Sequence, residues 1–229
     1  MRLRFERGGT IFCTAMFLFI LTLALFVGVF AWDGRAYAEV KLDVTYYFLV
    51  RDCDTATAGA VAGEAYLSGG AGYLLDNEDA VVLACYYKET DATFVRGTMS
   101  EKGIAVRVLT YKMRTFSLSG KNTQEKARIE ANAKTVDAAS RILYDTANGL
   151  ERTDISQEEA RAAVKGVVAS LSGLTAGNEG SFYDLWNIAL LRAERRGREL
   201  AEGILFAKDL RYLQIELCMA VLRLSDYVV

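Results

Sequence analysis

The side chains with a chemistry to offer in the middle of the chain are Tyr47, Arg51, Tyr86, Tyr87 and Arg107, with Leu49 between the first two. Tyr47, Leu49 and Arg51 alternate in "TYYFLVRD", so an extended backbone turns them to one face. Tyr86 and Tyr87 end the apolar run "AVVLACYY", and Arg107 sits in the alternating run "IAVRVLTYKM". Aromatic rings stack on sugar rings, and guanidinium forks hold carboxylates or hydroxyls. That chemistry suits holding a glycan rather than breaking a bond. The bland alternative is that these residues only cover a sheet, since aromatic and long amphipathic side chains are common in any strand.

Composition removes several other classes. The 229 residues include no histidine, which takes away Ser-His-Asp and Cys-His catalysis, His-based zinc sites and His proton shuttles. Glu64, Asp76, Glu78 and Asp79 fall in a helix or a turn, with no spacing that marks a pair of carboxylates flanking a cleft. No catalytic residue, metal ligand or cofactor is assigned, and the chain reads as a binding protein rather than an enzyme. A net charge of −2 argues against nucleic acid, which needs clustered Lys and Arg in excess. An RNA-recognition sheet would need basic, aromatic motifs that are missing here. Of the four cysteines, Cys13, Cys53, Cys85 and Cys218, none forms a CxxC pair. Cys53 and Cys85 lie near strand ends, and either pair in an oxidising compartment or stay as buried thiols.

The elements that must position these residues are readable between Val40 and Met113. "KLDVTYYFLV" is β-branched and aromatic, hence a strand. "DCDTATAGAVAGEAYLSGG" carries small residues at helical spacing, with Asp54 or Thr55 as cap and Gly69 and Gly70 as stop. "AGYLLD" and "AVVLACYYKE" flank a short acidic turn as a hairpin. "TDATFVRGTMSEKG" reads as a second helix, and residues 104–113 as a closing strand. The order β-α-β-β-α-β predicts an antiparallel four-stranded sheet with both helices on one face, the ferredoxin-like arrangement, and an open face for a ligand. Tyr46, Phe48 and Val50, the more apolar set of the first strand, are expected to face the helices, leaving Tyr47, Leu49 and Arg51 on the open face. For the third strand, periodicity does not choose between Val82, Ala84, Tyr86 and Val81, Leu83, Cys85, Tyr87.

The chain opens with Arg2, Arg4 and Arg7, followed by an uncharged run from Thr10 to Trp32. That run matches the ~20 residues that cross a ~30 Å hydrocarbon core. The arginines predict a cytoplasmic tail at 1–9, a single transmembrane helix at 10–32 and the rest outside the cell membrane. "AYA" at 36–38 also fits a signal-peptide cleavage site after Ala38, but the apolar run exceeds the 7–15 residues of a signal core, which favours an uncleaved anchor.

The run "YYFLVRDCDTATAGAVAGEAYLSGGAGYLLDNEDAVVLACYYKETDATFVRGTMSEKGIAVRVL" resembles the SPOR domain, the sporulation-related repeat of bacterial envelope proteins. The features that carry the resemblance are the aromatic first strand, the Ala-rich helix, "GGAGY", "CYYKETDA" and "GIAVRVL". It covers about residues 42–113 and implies peptidoglycan glycan strands stripped of stem peptides as ligand, bound across the open sheet face at division or sporulation septa. The first strand departs from the family in carrying Leu49 where a glutamine is common, and in following with "RDC" rather than Gly and Phe. A second reading makes the domain at 40–115 and the helices after it a structural assembly unit, joined by protein–protein contacts.

From Lys121 the period becomes helical, giving a helical domain at 121–229. Ile129, Ala133, Val136, Ser140, Leu143 and Ala147 share a stripe. "SQEE" at 156–159 is a capping box. Ser181 opens a third helix, and Leu210, Leu213, Leu217, Val221 and Leu224 mark a fourth. The fourth is apolar on more than half its circumference, which points to a central position or to a protein partner or self-association. The whole is therefore expected to be α+β: a membrane helix, a βαββαβ domain and a helical bundle.

Overall fold

The computed structural model describes residues 38–75, 79–113, 115–118, 123–177 and 181–224. The uncharged run at 10–32 and its basic lead lie outside the described residues. The central strand β2 (Thr45–Asp52) is a run of β-branched and aromatic residues. It pairs antiparallel with β4 (Ala80–Tyr86) on one side and β5 (Arg107–Lys112) on the other. A short strand, β3 (Tyr73–Leu75), pairs with the outer edge of β4, so the sheet order is β3-β4-β2-β5. A second, two-stranded sheet joins β1 (Ala38–Val40) to β6 (Phe116–Leu118), an element that three-residue runs cannot announce in sequence.

Between β2 and β3 lies α1 (Ala58–Leu67). It stops at Gly69, whose φ of +93° suits glycine. The N–H of Gly70 donates to the Ala65 carbonyl at 2.9 Å and that of Gly69 to the Tyr66 carbonyl at 3.2 Å, the paired bonds of a Schellman cap. Gly72, at φ +65°, passes so close to α1 that a Cβ there would sit 2.5 Å from the Ala62 carbonyl oxygen. The glycine cluster therefore both ends the helix and lets the next strand start against it.

A β-bulge breaks the period of β4. Leu49 opposes Ala84 while Val50 opposes Val82, leaving Leu83 as the extra residue. Val81 and Leu83 consequently join one face with Leu49, while Val82 and Cys85 join the other with Phe48 and Val50. Neither set offered by strict alternation is the observed one, because an inserted residue resets the pleat.

Helix α2 (Glu89–Glu101) returns the chain to β5. Four longer helices follow: α3 (Thr123–Glu151), α4 (Gln157–Gly177), α5 (Ser181–Glu202) and α6 (Ala207–Leu222). Each packs on the next, and α6 closes back on α3. The start of α4 is fixed by Ser156, whose N–H donates to Glu159 Oε2 at 2.8 Å while the Glu159 N–H donates to Ser156 Oγ at 3.2 Å. Along α6, Leu210, Leu213, Gln214, Ile215, Leu217, Cys218 and Val221 are all buried, because it lies between the other helices and the sheet.

That placement overturns the expected α+β layout. The described chain is mostly helical, six helices of 10 to 29 residues against two small sheets of strands no longer than eight residues. None of these helices is long and apolar enough to cross a membrane. The sheet has no open face. One core runs from Tyr46, Phe48 and Val50 through Ile129, Val136 and Leu143 to Leu213, Leu217 and Trp186, while a smaller cluster of Leu49, Ala65, Val81 and Leu83 lies under α1 and α2. The expected facing of β2 is thus inverted: Tyr46, Phe48 and Val50 meet the bundle, and Leu49 and Arg51 meet the crossover helices. The physical reason is size. Each fully buried large apolar side chain contributes about 1.5–3 kcal/mol, so the face with Tyr46, Phe48 and Val50 gains more from four long helices than from two short, Ala- and Gly-rich or polar ones.

Candidate functional site

The two crossover helices rest on the strands rather than on each other. Each has a single buried residue, Ala65 in α1 and Ala92 in α2. The sequence of α1, "AGAVAGEAYL", explains this, since Ala and Gly are too small to fill the space between two helices on a sheet. A cavity of about 410 Å³ is left beside Arg51, Glu64, Met99 and Ile104. A second of about 530 Å³ lies over Leu49, Ala84 and Tyr86. Both are lined by Ser68, Gly70, Leu83 and Met99, so they form one groove along the sheet. Each volume falls in the range of ligand sites.

The floor is apolar, and the charges sit at its ends. At one end Arg51 Nη1 lies 3.1 Å from Glu64 Oε2, with the two side chains 36% and 63% exposed. An ion pair that open contributes about 1 kcal/mol or less, so both groups can exchange it for a ligand's charges. At the other end Arg211 of α6 donates to the Gly69 carbonyl at 3.1 Å and to Glu151 of α3, tying the end of α1 to the bundle. Tyr86 meets Tyr144 edge-on, ring centroids 6.2 Å apart. Burial pushes the Tyr86 hydroxyl up to about 12 and raises that of Tyr144 as well, so both remain protonated at neutral pH. The rim carries Phe94, 76% exposed although it is a large aromatic.

Of the residues read from sequence, Leu49, Arg51 and Tyr86 line this groove. Tyr47 is half-buried and pairs in register with Tyr86. Tyr87 does not belong. The bulge sends it to the bundle side, where its hydroxyl lies 2.7 Å from Ser140 Oγ and the Arg141 guanidinium covers its ring at 4.1 Å. Arg107 is exposed at β5, where its Nε lies 2.7 Å from Asp52 Oδ1. Phe94, Met99, Tyr144, Asn148 and Arg211 were not read as site residues, because α2 and the bundle ends reach the groove only through tertiary packing. An exposed Phe off the apolar stripe of α2 was the one local signal.

A polar seam lies under the opposite sheet face. The Tyr46 hydroxyl donates to Asp137 Oδ1 at 2.9 Å, and Arg141 Nε donates to Asp137 Oδ2 at 2.8 Å. Gln214 Nε2 donates to the Cys85 carbonyl at 3.1 Å. Burial raises the Tyr46 and Tyr87 hydroxyls far above the usual phenol range. This seam is enclosed by β2, β4, α3 and α6, and it joins layers rather than meeting solvent. Cys53 packs with the Leu49 cluster and Cys85 with the bundle-side core, so the pairing of Cys53 with Cys85 weighed from sequence is not made. No family model, curated protein or solved structure matches the chain, and the likeness to the SPOR domain rests on the quoted residues alone.

Proposed function

We propose that the protein is a binding protein of the bacterial envelope, anchored in the cytoplasmic membrane by residues 10–32, which takes an apolar segment of a partner protein into the groove between α1 and α2. The anchor reading rests on the uncharged run behind Arg2, Arg4 and Arg7. The observation that carries the ligand class is the groove floor: Leu49, Leu83 and Ala84, with Met99 and Val95 on the wall, match aliphatic side chains better than sugar rings. Arg51 and Glu64 at one end and Asp91 and Arg152 at the other supply polar ends that fix orientation. Assembly in the envelope is thereby favoured over wall binding.

A second reading keeps a glycan as ligand in the same groove. It is favoured by Tyr86 and Tyr144 lying beside Asn148 and Arg152, an aromatic and hydrogen-bonding set suited to a sugar. The test uses the full-length protein in detergent micelles. A displayed random peptide library is panned on it, and intact and amidase-stripped peptidoglycan sacculi are sedimented with it in parallel. Peptides with alternating apolar residues that bind the wild type and lose at least tenfold in affinity to Phe94→Asp support the partner-segment reading. Sedimentation with stripped sacculi that Phe94→Asp abolishes, without peptide enrichment, transfers the groove to the glycan reading.

A further inference from the structure

Cys85 of β4 and Cys218 of α6 place their sulfurs 3.7 Å apart, in van der Waals contact, although 133 residues separate them in the chain. Both residues are fully buried. Gln214, one turn before Cys218 on the same helix, donates from Nε2 to the Cys85 carbonyl at 3.1 Å, which fixes α6 against β4 at this point. The third described cysteine, Cys53, lies on the other side of the sheet and does not compete. A disulfide needs an S–S distance of about 2.05 Å, and two thiols already in contact across a fixed strand–helix junction reach it by small side-chain rotations.

We propose that Cys85 and Cys218 are a disulfide-forming pair, and that folding in oxidising surroundings closes the bond and staples the bundle to the sheet. The oxidant is an external disulfide, glutathione disulfide or that of a dithiol oxidoreductase. One cysteine thiolate attacks it, releasing one external thiol and forming a mixed disulfide. The second cysteine thiolate then attacks the protein sulfur of that mixed disulfide and releases the other external thiol. Two cysteine thiols are oxidised, one external disulfide is reduced to two thiols, and both protons pass to the leaving thiolates. The step belongs to the folding chain, before α6 seats, because burial in the native state raises the Cys85 thiol and shuts out reagents. Once closed, the bond is shielded from reductants by the same burial. Its occurrence in the cell, though not the pairing itself, rests on the extracytoplasmic reading above.

The experiment unfolds the full-length protein in urea with reductant and refolds it in detergent with a reduced and oxidised glutathione buffer. Free thiols are then alkylated, and the peptides are mapped without reduction. The expected map joins the Cys85 and Cys218 peptides, two hydrogens lighter than their sum, and shows Cys13 and Cys53 alkylated. Alkylation of both Cys85 and Cys218, or a bridge from either to Cys53, overturns the pairing. The oxidised protein should melt on the order of 10 °C above the reduced protein, since a bond closing so long a loop restricts the unfolded chain strongly. Equal melting of the two forms overturns the staple. Cys218→Ser should lose the redox difference. The bridge in refolded protein with free Cys85 and Cys218 in protein taken from cells supports the pairing and overturns the extracytoplasmic placement.

Discussion

Tyr46 of β2 and Asp137 of α3 are joined by a hydrogen bond of 2.9 Å through the sheet face that strand alternation alone would assign to the crossover helices. Arg141 completes the carboxylate's partners at 2.8 Å. The contact brings a residue of the small sheet and a residue of the long helices, 91 positions apart, into one core. It ties the sheet to the bundle within one core, which covers this side of the sheet.

Removing only the hydroxyl tests that junction. Tyr46→Phe leaves the ring in place but strips one donor from a charged acceptor, at a cost of about 1.5–3 kcal/mol. Tyr46→Ala adds a cavity and should cost about 3–5 kcal/mol. Urea unfolding followed by separate sheet and helix probes should show both losses in one transition. Two separated transitions would mean that the halves fold independently.

The turn between α1 and β3 makes an opposed pair of predictions. Gly72→Ala places a Cβ 2.5 Å from the Ala62 carbonyl oxygen at φ +65°, and should destabilise by roughly 1–3 kcal/mol. Gly63→Ala, inside α1 with nothing within 4 Å of the added Cβ, should stabilise by about 0.5–1 kcal/mol. Thermal melts of the two variants should move in opposite directions.

The start of α4 carries a pH dependence. Glu159 is held below its usual range by the Ser156 backbone N–H and then by the Ser156 hydroxyl. A carboxyl lowered in the folded state adds stability that is present above its unfolded value and is lost as the pH falls through its folded one. Glu159→Gln should therefore flatten part of the acid limb below about pH 4.5 and leave the slope near neutrality unchanged. Ser156→Ala should cost about 1 kcal/mol at neutral pH. Urea midpoints across the acid range read both effects.

Local signals were legible where a few neighbouring residues decide the structure. "SQEE" gave the cap of α4 because Ser156 and Glu159 are three positions apart on one turn. Gly69 and Gly70 marked the end of α1, and at Gly69 the reason is a φ of +93°, which only glycine adopts cheaply. The covering of the sheet was not legible, because nothing within β2 says which of its faces meets a helix encoded a hundred residues later. Its one trace in sequence was that α6 is apolar on more than half its circumference, more than a helix at the edge of a bundle needs. The bulge at Leu83 stayed hidden since both neighbours are small or apolar and fit either face. For the candidate site, strand alternation put Leu49 and Arg51 on one face, as observed, but did not choose between Tyr86 and Tyr87, and the groove above them exists because α1 is too small to close it.

The groove separates stability from binding. Arg51→Ala removes a half-exposed ion pair and should change stability by less than about 1 kcal/mol. Phe94→Asp alters a side chain 76% exposed and should be equally mild. Both should still weaken ligand capture at least tenfold. A loss of binding that only follows a loss of fold in melting curves would mean that the groove is not the binding site.

In the proposed binding mode the ligand enters between α1 and α2. Its most direct measurement replaces Phe94 with the photo-crosslinking residue p-benzoylphenylalanine in the full-length protein, with the same replacement of exposed Ile188 on α5 as control. After irradiation of living cells, a discrete protein adduct from position 94 that is missing from position 188 is the predicted result. Adducts from position 188 alone, or none from position 94 while the protein remains folded in the membrane fraction, would contradict the groove as the binding site.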